Sequence, residues 1–250
     1  MTSEANNGTG RRTVRIGVFI PTECQLLDAA SVDIMGSMSH EYMTMISDFM
    51  PKAIVDLAPV IKIHYIGSVQ AGEPIKLTSN ESIVATNHFS DAEVAPGKLD
   101  IVLVPGPDPK TQFADEPIAW LRAQGNTAGV DILSVCTGIF LCGQAGLLKG
   151  KNVCGPRSLQ DMIKAKGFGE KALVGGKYRW NQDGNLWSSG GVTNGNDLVA
   201  AYARASPHHF PAPIVKIACE MTDTGDRARE YEKEMMDYPE FLKSVVAAVK

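Results

Sequence analysis

Val130-Asp-Ile-Leu-Ser-Val135 runs without a break into Cys136-Thr-Gly-Ile-Phe-Leu-Cys-Gly-Gln-Ala-Gly-Leu-Leu148, and this junction decides the fold. The first part is a short apolar run that predicts a buried strand, and the second has helical periodicity. A strand that turns into a helix with no linker needs a tight bend, and the residue at the bend projects its side chain from the top of the sheet. Gly138 leaves room for that bend. The junction therefore predicts a nucleophile elbow with Cys136 at its apex.

Strands and helices alternate on both sides of this junction, which predicts an α/β fold with a mostly parallel sheet covered on both faces. Sites in such sheets form beyond the carboxyl ends of the strands. The loops at 21–28 and 105–109 and the turn at Cys136 all follow strands, so we expect them to converge on one site. The predicted elements are strands at 14–20, 61–67, 100–104 and 130–135, hairpins at 75–84 and 178–188, helices at 114–124, 136–148, 157–166 and 190–204, and a further helical stretch near Asp28 that Asp28 or Ser31 caps.

Composition indicates one domain and limits its partners. The 250 residues, 44% of them hydrophobic, fit a single α/β domain at 13–250 with a helical C-terminal extension, preceded by a disordered tail at 1–12. With 24 basic against 28 acidic residues and a net charge of -4, a nucleic-acid partner is not expected. We see neither a signal peptide nor an apolar stretch of the roughly 18 residues that a membrane span needs, so we expect a cytoplasmic protein.

The cysteines and histidines predict neither a disulfide framework nor a metal site. The five cysteines are an odd number, and no CxxC pair occurs. The neighbouring rings of His208 and His209 are expected to diverge and so to make a poor zinc site. We expect no cofactor.

Cys136 is the residue to which the sequence assigns chemistry. It lies at a helix N-terminus, where unpaired N–H groups and the helix dipole favour a thiolate over a thiol. The N–H groups of the following turn can hold a developing negative charge. The alternative is a buried structural cysteine.

Several separated blocks of the chain resemble the ThiJ/PfpI superfamily, and within it the isocyanide hydratase-like branch. The resemblance covers roughly residues 14 to 205 and implies a flavodoxin-like three-layer α/β sandwich, a homodimer and a small-molecule substrate. The blocks are Ile16-Gly-Val-Phe-Ile-Pro21, Gln25-Leu-Leu-Asp28, Val104-Pro-Gly106, Ser134-Val-Cys136-Thr-Gly138, Ala145-Gly-Leu-Leu-Lys-Gly150, Asp183-Gly-Asn185 and Gly190-Gly-Val-Thr-Asn-Gly-Asn-Asp197.

The resemblance also implies roles for single residues. Cys136 matches the family nucleophile, and Asp28 matches the acidic residue that hydrogen-bonds it in the hydratase-like branch. Gly106 and Thr137 match positions around the oxyanion pocket, to which the turn at Gly138 also contributes. Without the resemblance, Asp28 could equally be a helix cap.

Two departures from the family pattern bear on activity. Many members carry a histidine soon after the elbow helix, where this chain has Pro156, so a Cys-His dyad is not expected. Pro107 stands where a second glycine is common and has no N–H, so one possible oxyanion donor is missing. Asp28, rather than a histidine, is then the expected proton donor and acceptor, with a raised pKa.

Other residues have two interpretations each. Asp33 and Glu23 are rival carboxylates, although Asp33 is expected to cap a helix or face solvent. Cys24 and Cys154 either resolve an oxidised Cys136 or are small buried residues. The remaining expectations are that Trp180 and Trp187 wall a pocket or pack in the core, that the methionines between Met35 and Met50 fill the core or a dimer contact, and that Arg227–Glu234 is a solvated helix face.

Three functions follow as hypotheses. The first is a hydratase or hydrolase in which Cys136 attacks an electrophilic carbon, such as that of an isocyanide or an activated carbonyl, with Asp28 as general acid and base. The second is a non-catalytic redox sensor that oxidises Cys136 reversibly. The third is a glyoxalase-like or peptidase-like activity, which the absent histidine disfavours.

Overall fold

Twelve strands occur in the part of the chain that the computed structural model describes, residues 10–233 and 238–248. They are β1 (Thr13–Phe19), β2 (Glu23–Cys24), β3 (Val60–Gly67), β4 (Pro74–Leu77), β5 (Ser82–Val84), β6 (Asn87–His88), β7 (Ile101–Val104), β8 (Asp131–Ser134), β9 (Asn152–Val153), β10 (Ala172–Leu173), β11 (Trp180–Asp183) and β12 (Leu186–Ser189).

The α-helices are α1 (Leu26–Ala29), α2 (Val32–Gly36), α3 (His40–Met45), α4 (Lys52–Val55), α5 (Asp115–Gly125), α6 (Gly138–Gln144), α7 (Gln160–Lys166), α8 (Asn194–Ala205), α9 (Ala212–Met221) and α10 (Tyr238–Ala248). Short 3-10 helices lie at Ser47–Phe49, Ala92–Val94 and Arg157–Leu159. None of these helices is long and apolar enough to span a membrane, as far as the described residues go.

A seven-stranded sheet in the order β11-β12-β8-β7-β1-β3-β6 forms the middle layer. All neighbours are parallel except β11 and β12, which form an antiparallel hairpin at one edge. Strand β7 shows why the central strands are continuous apolar runs. Its residues Ile101 and Leu103 enter the hydrophobic core on one face of the sheet, and Val102 and Val104 enter the core on the other.

Helices cover both faces of this sheet, which confirms the predicted three-layer α/β fold. On one face, α2, α8 and α9 contribute Met35, Tyr202 and Ile214 to the core. On the other face, α5 and α6 contribute Leu121 and Phe140. The carboxyl ends of β7, β8 and β12 are neighbours in the sheet, so the turns that follow these strands meet at one edge.

The predicted hairpins are both present, with Asn80 in the left-handed region at φ 64° and Gly184 at φ 63°. The predicted elbow helix ends earlier than expected, at Gln144 instead of residue 148. Gly146, at φ 77°, lets the N–H of Leu147 bond back to the carbonyl of Cys142, which ends the helix.

The predicted caps near Asp28 are wrong. Asp28 lies inside α1, whose N-cap position is held by Gln25. Ser31 precedes α2, but its hydroxyl donates to the carbonyl of Asp28 instead of accepting from the helix. The Asp28 carboxylate is therefore not used by its own helix.

The chain ends also differ from expectation. Arg11 and Arg12 of the predicted tail are anchored, Arg11 by a hydrogen bond to the carbonyl of Ala58 and Arg12 by contact with His209, while residues 1–9 lie outside the described part. Residues 222–233 are not helical, so the charged run that begins at Arg227 is not a solvated helix face. Its last residue, Glu234, lies outside the described residues.

Candidate active site

Cys136 lies at a sharp bend between β8 and α6, as the elbow prediction required. Its φ is 56°, a left-handed conformation that is rare for a residue with a Cβ atom. The bend is held by the N–H of Val135, which donates to the carbonyl of Val104 at 3.0 Å. A Cβ atom on Gly138 would lie 2.2 Å from that same oxygen, so only glycine fits there. The thiol is mostly enclosed, with Cys136 8% exposed.

Asp28 is fully buried and lies against the Cys136 thiol, close enough for each group to shift the pKa of the other. Its Oδ2 accepts the N–H of Gly106 at 3.2 Å, whereas its Oδ1 is buried without a hydrogen-bond partner among the described residues. Burial raises the pKa of this carboxyl to about 7, and the contacts with Cys136 and Gly106 oppose that rise. Near neutral pH Asp28 can therefore both take up and give back a proton.

Gly106 belongs to the site but is not a free oxyanion donor. Its N–H is bonded to Asp28, and its carbonyl accepts the N–H of Gln25 at 3.0 Å. A Cβ atom at this position would lie 2.4 Å from Asp28 Oδ2 and 2.3 Å from the hydroxyl of Thr137. Gly106 therefore allows the close approach of these side chains and orients the carboxyl group. The expectation that it helps to hold an oxyanion needs this correction.

Two backbone N–H groups face the Cys136 sulfur, those of Thr137 and Val192. The hydroxyl of Thr137 is used elsewhere, since it donates to the carbonyl of Pro107 at 2.7 Å. Pro107 thus supplies an acceptor that fixes the turn. The donors available to a negative charge on or near the sulfur are the main-chain groups of the elbow and of the loop before α8.

The expected thiolate is not the resting state. Burial, and after it the nearby Asp28 charge, raises the pKa of the Cys136 thiol to about 11, and the two N–H groups lower it only in part. The helix-terminus argument fails because α6 begins two residues after Cys136, and because burial of the thiol penalises its charged form. The thiol needs a base, and Asp28 is the carboxylate beside it.

Val192 is the site residue that sequence reasoning missed. A backbone donor gives no side-chain signal, but the preceding pair, Gly190 and Gly191, indicates a close backbone approach. Gly195 supports this interpretation, since a Cβ atom there would lie 2.6 Å from Val135.

The rival carboxylates and cysteines lie outside this arrangement. Asp33 is exposed, and Glu23 accepts the N–H of Asp108 at 2.7 Å. Cys24 and Cys154 are buried, and burial raises the pKa of each to about 12. All five cysteines are free. Since thiolates, not thiols, are readily oxidised, both cysteines fit the interpretation as small buried residues better than a resolving role.

The remaining expectations concern aromatic rings, methionines and metals. Trp180 and Trp187 stack at 5.8 Å within the core cluster, which supports core packing. Met35 and Met43 are fully buried. The rings of His208 and His209 do not diverge but lie 4.1 Å apart. Within the described residues, no group of three or more His, Cys, Asp or Glu side chains could hold a metal ion.

Comparison with known proteins places this geometry in a family. The chain is 26% identical over 172 residues to the isonitrile hydratase of Pseudomonas putida, an alignment that covers 68% of this chain and 70% of that protein. A ThiJ/PfpI family protein from Pseudomonas syringae has the same fold, with a TM-score of 0.65, 19% identity, and coverage of 99% of this chain and 93% of that one.

The fold alone does not decide activity. An AraC family transcriptional regulator from Pseudomonas putida matches with a TM-score of 0.61 at 11% identity, over 84% of this chain and 99% of that one. The model of the DJ-1/PfpI family matches residues 41–205, which include Cys136 and the Val192 loop but not Asp28. The chain belongs to the DJ-1/PfpI family.

Proposed function

We propose that this protein is a cysteine-dependent hydratase that adds water to a small molecule with an electrophilic carbon, an isonitrile in the first place. The observation that carries the proposal is the buried Asp28 carboxyl against the Cys136 thiol, with its Oδ1 unpartnered and its pKa raised to about 7. The similarity to an isonitrile hydratase supports the choice of substrate class.

The two groups are sufficient for the chemistry. Ionised Asp28 takes the proton from the thiol as substrate binds, and the thiolate attacks the terminal carbon of the isonitrile. Protonated Asp28 then delivers its proton to that carbon, which gives a thioimidate. Asp28 next accepts a proton from water as the water adds to the thioimidate carbon. Asp28 passes that proton to the nitrogen. As the C–S bond breaks and the carbonyl forms, Asp28 takes the hydroxyl proton of the adduct and returns it to the departing Cys136 thiolate. The N-formamide leaves with thiol and carboxylate restored, so that one isonitrile and one water give one product.

The proposed mechanism fits this sequence because it needs no histidine. The N–H groups of Thr137 and Val192 face the sulfur and stabilise it when it is negatively charged, during attack and again during release. Pro156 at the family's histidine position then has no direct bearing on the steps above. A reaction in which a strong base must deprotonate the substrate, as in glyoxalase-like chemistry, fits these groups less well.

Turnover of isonitriles tests the proposal. We expect one alkyl or one aryl isonitrile to be converted to its N-formamide, measured by proton NMR. Cys136→Ser should lower the rate at least about 1000-fold, because serine is not deprotonated by a carboxylate near neutral pH. Asp28→Asn should lower it about 100-fold, since the proton carrier is lost. Cys219→Ser, the same change on α9, is the matched control and should leave the rate unchanged.

Retained turnover in Cys136→Ser would contradict the mechanism. Absence of formamide from both isonitriles, together with lactate formation from methylglyoxal, would favour the glyoxalase-like alternative instead.

The redox-sensor alternative is weaker on physical grounds. Oxidation begins from the thiolate, and burial holds the Cys136 thiol in its protonated form at neutral pH. Peptide mass spectrometry after mild peroxide should therefore show no more oxidation at Cys136 than at Cys219. Selective oxidation of Cys136 would favour the sensor.

We keep the homodimer as part of the proposal. Met45 and Phe49, 71% and 90% exposed, are large apolar side chains of the kind that a second copy covers. Sedimentation analysis should give about twice the chain mass.

A further inference from the structure

Residues 225–233, called here the C-terminal strap, follow α9 and lie outside the part of the chain that matches the family model. The strap runs beside the segment before β11. The N–H of Arg179 donates to the carbonyl of Arg229 at 2.8 Å, and the N–H of Tyr231 donates to the carbonyl of Lys177 at 3.0 Å. Backbone pairing therefore fixes the strap at the edge of the central sheet.

Arg227 of the strap binds the start of α8. Its Nη2 donates to the carbonyl of Thr193 at 2.7 Å and lies 2.6 Å from Asp197 Oδ2. The side chain of Asp197 is only 4% exposed, whereas that of Arg227 is 43% exposed. A carboxylate buried this deeply needs a cation, so the pair ties the strap to the first turn of α8.

Tyr231 binds the same turn from the other end of the strap. Its hydroxyl accepts a hydrogen bond from the Asn194 amide at 2.8 Å. Its ring contacts two guanidinium groups, those of Arg157 at 4.0 Å and Arg179 at 4.6 Å from the ring centre. These cation–π contacts help to fix the direction of the hydroxyl.

The loop that these residues hold has little packing of its own. Gly190 and Gly191 have no side chains, and a Cβ atom on Gly191 would meet nothing within 4 Å. A Cβ atom on Gly190 would lie 2.9 Å from the Tyr231 hydroxyl, so the strap closes over the loop. Val192 follows directly, and its N–H lowers the pKa of the Cys136 thiol. The first turn of α8 also packs on the residue before that cysteine, since a Cβ atom on Gly195 would lie 2.6 Å from the Val135 side chain. Two glycines in succession can adopt many backbone conformations. The Val192 N–H can therefore turn away from the sulfur unless the residues on either side of it are fixed.

We propose that Arg227 and Tyr231 are positioning residues for Cys136. They act through the start of α8, which they fix so that the Val192 N–H stays on the sulfur and supports the negative charge that forms there. The inference shares with the proposed function only the use of Cys136 as nucleophile.

Alkylation of the intact protein by iodoacetamide tests this without any substrate. Peptide mass spectrometry reads the rate at Cys136 separately from the other four cysteines. The only charged side chain that faces the sulfur is Asp28, as far as the described residues show, and every variant retains it. In Arg227→Ala we expect the rate at pH 8 to fall about 5-fold and the pH profile to move upward, because a donor to the thiolate is lost. Arg227→Lys should restore part of the rate.

Two further variants complete the test. Tyr231→Phe keeps the ring beside the guanidinium groups and loses only the hydroxyl. We therefore expect the alkylation rate at Cys136 to fall about 2-fold. Glu230→Gln changes the same strap at an exposed pair with Lys177 and should behave as the unchanged protein. A folded Arg227→Ala protein with an unchanged rate and pH profile would overturn the proposal. If Arg227→Ala does not fold, an unchanged profile in Tyr231→Phe overturns it.

An absence of isonitrile turnover would leave this result standing, since alkylation requires only the thiol. The two proposals can therefore fail separately.

Discussion

Two strand-to-helix junctions end neighbouring parallel strands, and each turns one N–H to the Cys136 sulfur. The first joins β8 to α6 through three residues, Val135 to Thr137, and the second joins β12 to α8 through four residues, Gly190 to Thr193. At the first, a Cβ on Gly138 would lie 2.2 Å from the carbonyl of Val104, so the bend is fixed by its own close packing. At the second, Gly191 has open space around it, and the turn is fixed by the C-terminal strap.

One half of the site is therefore fixed by residues close in the chain, and the other half is fixed by distant residues. The first junction needs only adjacent residues and the neighbouring strand. The second needs Arg227 and Tyr231, which lie more than thirty residues further along the chain.

The largest effect is expected at the first junction. Gly138→Ala places a methyl group against a main-chain oxygen that cannot move without disturbing the sheet, so the free energy of unfolding should fall by about 3 kcal/mol. Urea denaturation followed by circular dichroism measures this. An unchanged unfolding midpoint would mean that the elbow is not fixed by packing against Val104.

The Asp28 carboxyl group beside Cys136 should give the protein a pH-dependent stability. The pKa of Asp28 is raised to about 7 in the folded protein, against 3.8 as its ordinary value. The folded state therefore holds a proton that the unfolded state loses between these pH values, and stability falls as pH rises from about 4 to 7. This fall amounts to about 4 kcal/mol between pH 4 and pH 8, and Asp28→Asn should remove it. Thermal unfolding of both proteins at pH 4 and pH 8 measures this change in stability. The same change in both proteins would contradict the raised pKa of Asp28.

The second junction should depend on the strap for part of its stability. Arg227→Ala leaves the buried Asp197 carboxylate unpaired and should lower the free energy of unfolding by about 1 kcal/mol, less than a fully buried pair would because Arg227 is partly exposed. In a protein that already carries Asp197→Asn, Arg227→Ala should lower the free energy of unfolding much less. Equal costs in both backgrounds, measured by urea denaturation, would show that the pair does not couple the strap to α8.

The smallest effect is expected at the glycine with open space around it. Gly191→Ala should change the free energy of unfolding by less than about 0.5 kcal/mol. This variant is the matched partner of Gly138→Ala, since the two make the same chemical change at the two junctions. A cost as large as that of Gly138→Ala would remove the contrast between them.

Much of the fold could be predicted because its signals are local. The apolar runs in β1, β3, β7 and β8 and the turn residues Asn80 and Gly184 predicted strands and hairpins close to those observed. The early end of α6 was not predicted, because the apolar residues keep helical periodicity past Gly146 as far as Leu148.

The site was only partly accessible from the sequence. Cys136 and Asp28 were named as its centre, the first from the strand-to-helix pattern and the second from the resemblance, and the structure brings them together. The protonation state of the thiol was predicted in the wrong direction, because burial depends on everything packed around a group and a helix-start pattern does not contain it. The prediction of a helix for the strap is wrong, because a charged run has the same composition whether an arginine such as Arg227 faces only water or also a buried aspartate.

Sequence alone was enough to predict the α/β layers and the bend at Cys136. These follow from the order of apolar, polar and glycine residues over short distances, where sterics and periodicity act directly. The contacts of Gly106 with Asp28, of Val192 with Cys136, and of Arg227 and Tyr231 with the start of α8 are visible only in the folded protein. Those contacts join segments far apart in the chain, and hydrogen bonds of this kind leave no periodic pattern in the residues that make them.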